Sequence, residues 1–174
     1  MKHTKQKMRV LITGGAGFIG HHIIEHLLHK TNWTIVSLDR LDYSGNLNRI
    51  KEVTQDSNLL KKRVKIIWHD LKASLNKQIV KKIGKIDYIA HLAAGSHVDR
   101  SIKDPMEFVM DNVVGTANLL DYARLNLKSL KKFIYFSTEG IFGPASRGIF
   151  FRENDRYSSS NPYSATKAAG EELC

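Results

Sequence analysis

The chain has one cysteine, Cys174, in 174 residues. A single thiol closes no internal disulfide, so a reducing, cytoplasmic setting is the default. Long apolar runs are missing as well. The stretch "VLITGGAGFIG" is broken by glycines far short of the roughly 20 residues that a membrane span needs. The basic opening "MKHTKQKMR" leads into no apolar core or small-residue cleavage site, so it does not read as a secretion signal. There is no internal repeat and no recognised nucleic-acid module. That last absence matters because the formal net charge is +10. The cations are scattered over "KKRVK", "KQIVKKIGK" and "LKSLKK", which reads as solvated faces and not as a phosphate-binding patch.

What remains is a chain that is 42% apolar, enough to build one globular domain over residues 1–174. Short apolar runs alternate with helical patterns. "MRVLIT", "WTIVSLD", "VKIIWHD", "IDYIAHLAA" and "KFIYFS" read as strands. "GFIGHHIIEHLLHK" repeats apolar residues at Ile19, Ile23 and Leu27 and at Ile24 and Leu28, which is helical spacing. "ASLNKQIVKKIG" is a helix closed by Gly84, and "DPMEFVMDNVVGTANLLDYARLNL" is one long helix with Pro105 in its first turn. "NPYSATKAAGEELC" opens another, with Asn161 as its cap. Strand alternating with helix predicts an α/β fold, a doubly wound parallel sheet with helices on both faces. "SRGIFFRENDRYSSSN" is the longest irregular piece.

"TGGAGFIG" lies where the first strand passes into the first helix. Gly14, Gly17 and Gly20, with Gly15, have the spacing of a tight turn whose backbone approaches a pyrophosphate. The helix that follows offers its N-terminus to the phosphates. Asp39 ends the second strand, nineteen residues past Gly20, where a carboxylate grips the adenosine ribose hydroxyls. Arg40 next to it is compatible with a 2′-phosphate, but the acid repels one, so the cofactor is read as NAD and not NADP. His22, Glu25 and His26 have the spacing of an inverted zinc-protease motif. They alternate with the apolar stripe and should face solvent, as should the neighbouring His21 and His29, so no metal site is assigned.

The corner "FIYFSTEGIFGP" is a second place where chemistry gathers. Phe133 to Phe136 read as a buried strand, and Ser137, Thr138 and Glu139 follow as a polar shelf. Downstream, Tyr163 and Lys167 are four residues apart and share a helix face. A phenol near its ordinary pKa of about 10 is a poor base at neutral pH. A neighbouring ammonium favours the phenolate, which then accepts a proton from a sugar hydroxyl held by Thr138.

On these motifs the chain resembles the extended short-chain dehydrogenase/reductase superfamily, the NAD-dependent epimerases and dehydratases. More narrowly, it resembles the nucleotide-sugar 4,6-dehydratases of the dTDP-glucose 4,6-dehydratase type. "LDRLDYSGNLNRI", "HLAAGSHVDRSI", "DNVVGTANLL" and "NPYSATKAAGEEL" carry the likeness besides the glycine turn. The resemblance implies a Rossmann domain in which Phe18 and Ile19 meet the pyrophosphate through their backbone. It puts Asp39, Arg40, Leu41 and Asp42 along the adenosine ribose, and Asp70 and Leu71 beside the adenine. Leu92, Ala93 and Ala94 would run along the nicotinamide side, with Ser96 near the substrate. Thr138, Tyr163 and Lys167 would form the hydride-transfer set. The family's reaction oxidises the sugar C4 hydroxyl, eliminates water across C5 and C6, and returns hydride to C6. It uses an Asp–Glu pair directly after the threonine for the elimination. Here those positions hold Glu139, which can act as the acid, and Gly140, which has no side chain to act as a base. The family also continues into a smaller nucleotide-holding domain that lies outside these 174 residues. It dimerises through the long helix and the Tyr–Lys helix, so a homodimer is expected. Three activities stay open: a nucleotide-sugar dehydratase, a nucleotide-sugar epimerase that needs only C4 redox, and a non-catalytic NAD-binding module.

Overall fold

The computed structural model describes residues 7–55 and 58–174. The start of the basic N-terminal stretch, residues 1–6, lies outside the described residues. Five parallel strands form one sheet in the order β3-β2-β1-β4-β5. They are β1 (Arg9–Thr13), β2 (Thr34–Asp39), β3 (Val64–Trp68), β4 (Tyr88–His91) and β5 (Lys132–Tyr135). The order reverses between β1 and β4, and a doubly wound sheet opens its ligand crevice at such a switch point.

The strands alternate residues between two apolar layers. Val10, Ile12 and Ile35 point to the side covered by α1 (Phe18–Lys30) and α2 (Leu47–Glu52), where they meet Ile24, Leu28 and Ile50. Leu11, Val36, Leu38 and Ile89 point to the other side. There they pack against Ile83 of α4 (Lys77–Ile83) and against Leu119, Tyr122 and Ala123 of α7 (Gly115–Asn126). A period of two in the strands and near four in the helices is what sends these residues inward.

Several elements differ from the expectation. The long helix is three pieces: α6 (Pro105–Phe108), a π-helical stretch (Val109–Val114) and α7. The Gly115 N–H donates to the Met110 carbonyl, five residues back, which widens the helix there. Short helices α3 (Asn58–Lys61) and α5 (Val98–Lys103), like α2, have too few residues for a periodic signal. β5 is an outer strand and not a buried one, with Ile134 44% exposed. The other outer strand, β3, exposes Trp68. Residues 143–161 hold no helix or strand. Asn161 caps α8 (Pro162–Glu172), its side-chain oxygen accepting from the Ser164 N–H at 2.9 Å. His21 turns inward, contrary to the solvent-facing expectation, and its Nδ1 lies 3.0 Å from the Gly17 carbonyl oxygen. His22 is exposed beside Glu25.

Candidate functional site

β1 ends at Thr13 and the chain turns through Gly14–Gly17 into α1. Gly14 has φ +71°, and a Cβ there would lie 2.8 Å from the Ala93 amide nitrogen. A Cβ on Gly20 would run into the Gly14 carbonyl oxygen, backbone that cannot step aside. The turn therefore requires glycine at both positions. Gly17 is the N-cap of α1, and no side chain caps the helix. Its first N–H groups and positive dipole end are open to an anion from outside.

This turn forms one wall of a cleft of about 470 Å³. Gly14, Gly17, Phe18, Ile19 and Gly20 line it, facing Asp39, Arg40 and Asp42 after β2. Asp70 and Leu71 after β3, Leu92, Ala93, Ala94 and Ser96 after β4, and Tyr163 and Lys167 on α8 complete it. Size, glycine cradle and open helix end together fit a dinucleotide. Leu41 is set apart from this lining. It holds φ 56°, its N–H donates to Asp39 Oδ1 at 2.8 Å, and its side chain packs into the core beneath α1 and α2.

Asp39 is buried, and Oδ2 accepts from the Ala16 N–H at 3.0 Å. One carboxylate thus ties the glycine turn to the loop after β2. Arg40 is committed elsewhere. Its Nε donates to Asp42 Oδ2 at 2.6 Å, and its two terminal nitrogens grip both oxygens of Asp111 at 2.5 and 2.7 Å. Burial works against the guanidinium charge, but Asp111 and then Asp42 outweigh it and raise its pKa above the ordinary value.

At the far end of the cleft, Tyr163 and Lys167 come from successive turns of α8. Ser137 lines both this cleft and a second hollow of about 440 Å³ that Thr138 and Glu139 share with Phe151, Arg152 and Glu171. The Thr138 hydroxyl accepts from the Gly140 N–H at 3.3 Å. It also donates to Glu139 Oε2 at 3.2 Å. The expected ammonium–phenol partnership is absent in this arrangement. Burial raises the Tyr163 pKa, the Thr138 hydroxyl opposes it, and the Glu139 charge adds to it. The Lys167 Nζ instead sits over the Tyr135 ring, 4.0 Å from its centroid. Burial brings Lys167 down to about 8 against the pull of Cys174 and Glu171. Gly140 lies in a single 3₁₀ turn, Glu139–Phe142, pressed against α8. A Cβ there would lie 2.6 Å from Ser164 Oγ.

Two supporting residues were not singled out in the sequence. Asn112, buried in the π-helical stretch, accepts from the Gly95 N–H at 2.7 Å and donates to the Gly95 carbonyl at 3.1 Å. It also donates to Thr166 Oγ1 at 2.9 Å, and Thr166 donates to the Tyr163 carbonyl. This chain of bonds sets the Tyr163 helix against the loop after β4. His91 is buried between Thr13 and Thr116, and burial followed by the Lys167 charge lowers its pKa to about 3. The Thr116 hydroxyl donates to the Asn112 carbonyl at 2.6 Å. His91 Nε2 therefore carries the proton toward Thr116 and Nδ1 accepts from Thr13, a neutral, satisfied imidazole. Only the local string "DNVVGT" pointed toward Asn112, and a buried asparagine in it looks like any helix residue.

A glycine turn at the switch point, with a Tyr–Lys helix across the crevice, defines the class of short-chain dehydrogenase-like Rossmann proteins. The profile of the family described as GDP-mannose 4,6 dehydratase matches residues 11–174, and the chain belongs to that family. A dTDP-glucose 4,6-dehydratase of Neisseria gonorrhoeae is 35% identical over 98% of this chain and 50% of its own length. The structure of a dTDP-glucose 4,6-dehydratase from Streptomyces venezuelae, solved with NAD bound, superimposes with a TM-score of 0.84 at 32% identity. That match covers 95% of this chain and 50% of the other. The UDP-Glc/GlcNAc 4-epimerase of Campylobacter jejuni gives a TM-score of 0.80 at 31% identity, covering 95% and 47%. The chain spans about half the length of the curated relatives it matches. Among the described residues no helix is long and apolar enough to cross a membrane, and no three metal-ligating side chains are grouped to hold an ion.

Proposed function

We propose that this chain is the cofactor-binding half of an NAD-dependent nucleotide-sugar 4,6-dehydratase of the dTDP-glucose type. The observation that carries the reading is the placement of Tyr163 and Lys167, with Ser137 next to Thr138, in a cleft that begins at an uncapped helix N-terminus. Phe18 and Ile19 N–H groups hold the pyrophosphate, and Asp39 holds the adenosine ribose. Leu71 and Asp70 border the adenine, and Leu92 to Ala94 flank the nicotinamide. NAD, when bound, accepts the hydride, and its positively charged ring favours the phenolate form of Tyr163. Thr138 orients the sugar C4 hydroxyl, and Tyr163 takes its proton as the C4 carbonyl forms. Lys167 steadies the nicotinamide ribose, Ser96 contacts the sugar nucleotide, and Glu139 supplies the acid for the leaving C6 hydroxyl, with solvent water taking the C5 proton in place of the base that Gly140 lacks.

Gly140 favours a second reading. With no carboxylate at that position, an epimerase that only oxidises and re-reduces C4 uses every group present, and epimerases are among the structural neighbours. Incubating the purified chain with NAD and either dTDP-glucose or UDP-glucose separates the readings. A 4-keto-6-deoxy product supports the first and a C4 epimer the second. Neither product, with no reduced-cofactor absorbance, leaves a binding module. Tyr163→Phe is expected to abolish C4 oxidation with NAD binding retained, and unchanged turnover would sink the assignment. A homodimer through the long helix and α8, in a cytoplasmic setting, belongs to the same reading. Exposed Ile102, Met106 and Met110 on the face leading into that helix support the dimer, which sedimentation would test.

A further inference from the structure

The group just past Asp39 that is able to meet a 2′-phosphate is Arg40. Its guanidinium is not available. Asp111 holds both terminal nitrogens, and Asp42 holds Nε. The Asp111 side chain is only 6% exposed, so this pairing is shielded from water and from screening salt. Asp111 comes from the π-helical stretch, more than seventy residues away in sequence, and it also lies within 3.7 Å of the Lys72 ammonium. Arg40 and Lys72, two of the cations that line the cleft, are therefore paired with one carboxylate, and Arg49, which lines it too, is tied to the Ala16 and Ser44 carbonyls. Asp70 stands 3.9 Å from Arg40 and 3.6 Å from Lys72 and adds a further negative charge.

Resting on the reading of this cleft as an NAD site, we propose that Asp111 is a specificity-determining residue that excludes NADP by sequestering Arg40. Asp39 alone disfavours a 2′-phosphate through its charge. An arginine free to pivot offsets such a charge, because a guanidinium–phosphate pair is bidentate and strong. Asp111 removes that compensation before any ligand arrives. It acts by occupying the arginine.

The test is calorimetric binding of NAD, NADP and adenosine 2′,5′-bisphosphate to the wild-type chain, Asp111→Asn, Arg40→Gln and the double variant. Asp111→Asn keeps the shape and drops the charge. It is expected to raise affinity for the two 2′-phosphorylated ligands by about tenfold to hundredfold, with NAD little changed. Adding Arg40→Gln should remove that gain. Arg40→Gln alone should leave the NADP-to-NAD ratio within a few-fold, because the arginine is already occupied. The proposal is overturned if Asp111→Asn binds NAD but gains nothing for NADP. It is equally overturned if the gain survives Arg40→Gln, or if Arg40→Gln alone selectively abolishes NADP binding. The last arm needs no change at Asp111 and stands if Asp111→Asn does not fold. Failure of the wild-type chain to bind NAD at all would instead overturn the reading of the cleft.

Discussion

Lys167→Met is expected to make the protein more stable and less functional, and the magnitude follows from the site. Lys167 is 3% exposed, and burial lowers its pKa from 10.5 to about 8. Below pH 8 the folded protein carries a buried ammonium that the unfolded chain carries in water. That lowering corresponds to about 3 kcal/mol of destabilisation at pH 7. The penalty fades as pH rises from 8 toward 10.5, because the folded lysine releases its proton first, and at pH 10 about 1 kcal/mol remains. Methionine fills similar space without charge but gives up the contact with the Tyr135 ring, about 0.5–2 kcal/mol. The net gain at pH 7 is therefore about 1–3 kcal/mol, and it should fall to about 1 kcal/mol near pH 10, where the folded lysine is already uncharged. Urea unfolding of both proteins at the two pH values measures it. A loss of stability at pH 7, or a gain independent of pH, would refute the argument. If the proposed function holds, the same variant should lose hydride transfer, the usual exchange of stability for function at a buried charged site.

Gly20→Ala places a methyl against immovable backbone, so about 1–3 kcal/mol of stability and most NAD affinity should be lost; thermal unfolding and calorimetry read the two separately. Gly140→Ala should cost about 1–2 kcal/mol in the wild type but little in a Ser164→Ala background, because the obstacle is Ser164 Oγ. Equal costs in the two backgrounds would show that the 3₁₀ turn shifts instead. Arg63 donates to the carbonyls of Leu27, Leu28, Thr31 and Trp33, closing the C-terminal end of α1. Arg63→Ala should cost about 2 kcal/mol, and Arg63→Lys should recover little of it, because an ammonium lacks the fork that reaches four acceptors.

The five strands, α1 and the start of α8 were legible because burial imposes a period on them and because asparagine and proline mark where α8 begins. The glycine turn was legible for a stronger reason: at Gly14 and Gly20 the backbone leaves no room for any other residue. What escaped was long-range. Nothing local distinguishes Asp111 from a solvated helix residue, since its partner Arg40 is seventy-one positions away. The break in the long helix was invisible for a related reason, because a π-helical turn keeps the helical composition and changes only the phase. The Tyr163–Lys167 spacing placed the two on one face, as i and i+4 must. It did not say that the ammonium would stack on Tyr135, because the strand beneath the helix decides that.

That stacking changes how the Tyr–Lys pair should be understood. In the free protein both side chains are shifted by burial toward their neutral forms: the phenol upward, the ammonium downward. A base prepared in advance would show the opposite for tyrosine. The site is thus a poor base until something adds positive charge or frees the lysine from the Tyr135 ring. A sugar hydroxyl reaching Thr138 in the absence of cofactor meets a neutral phenol and keeps its proton. On the function proposed above, proton acceptance by Tyr163 is then tied to occupancy of the cleft. A titration of Tyr163 by its ultraviolet difference spectrum should place its pKa lower with NAD bound than without. An identical value in both states would mean that the phenolate is stabilised by the protein alone.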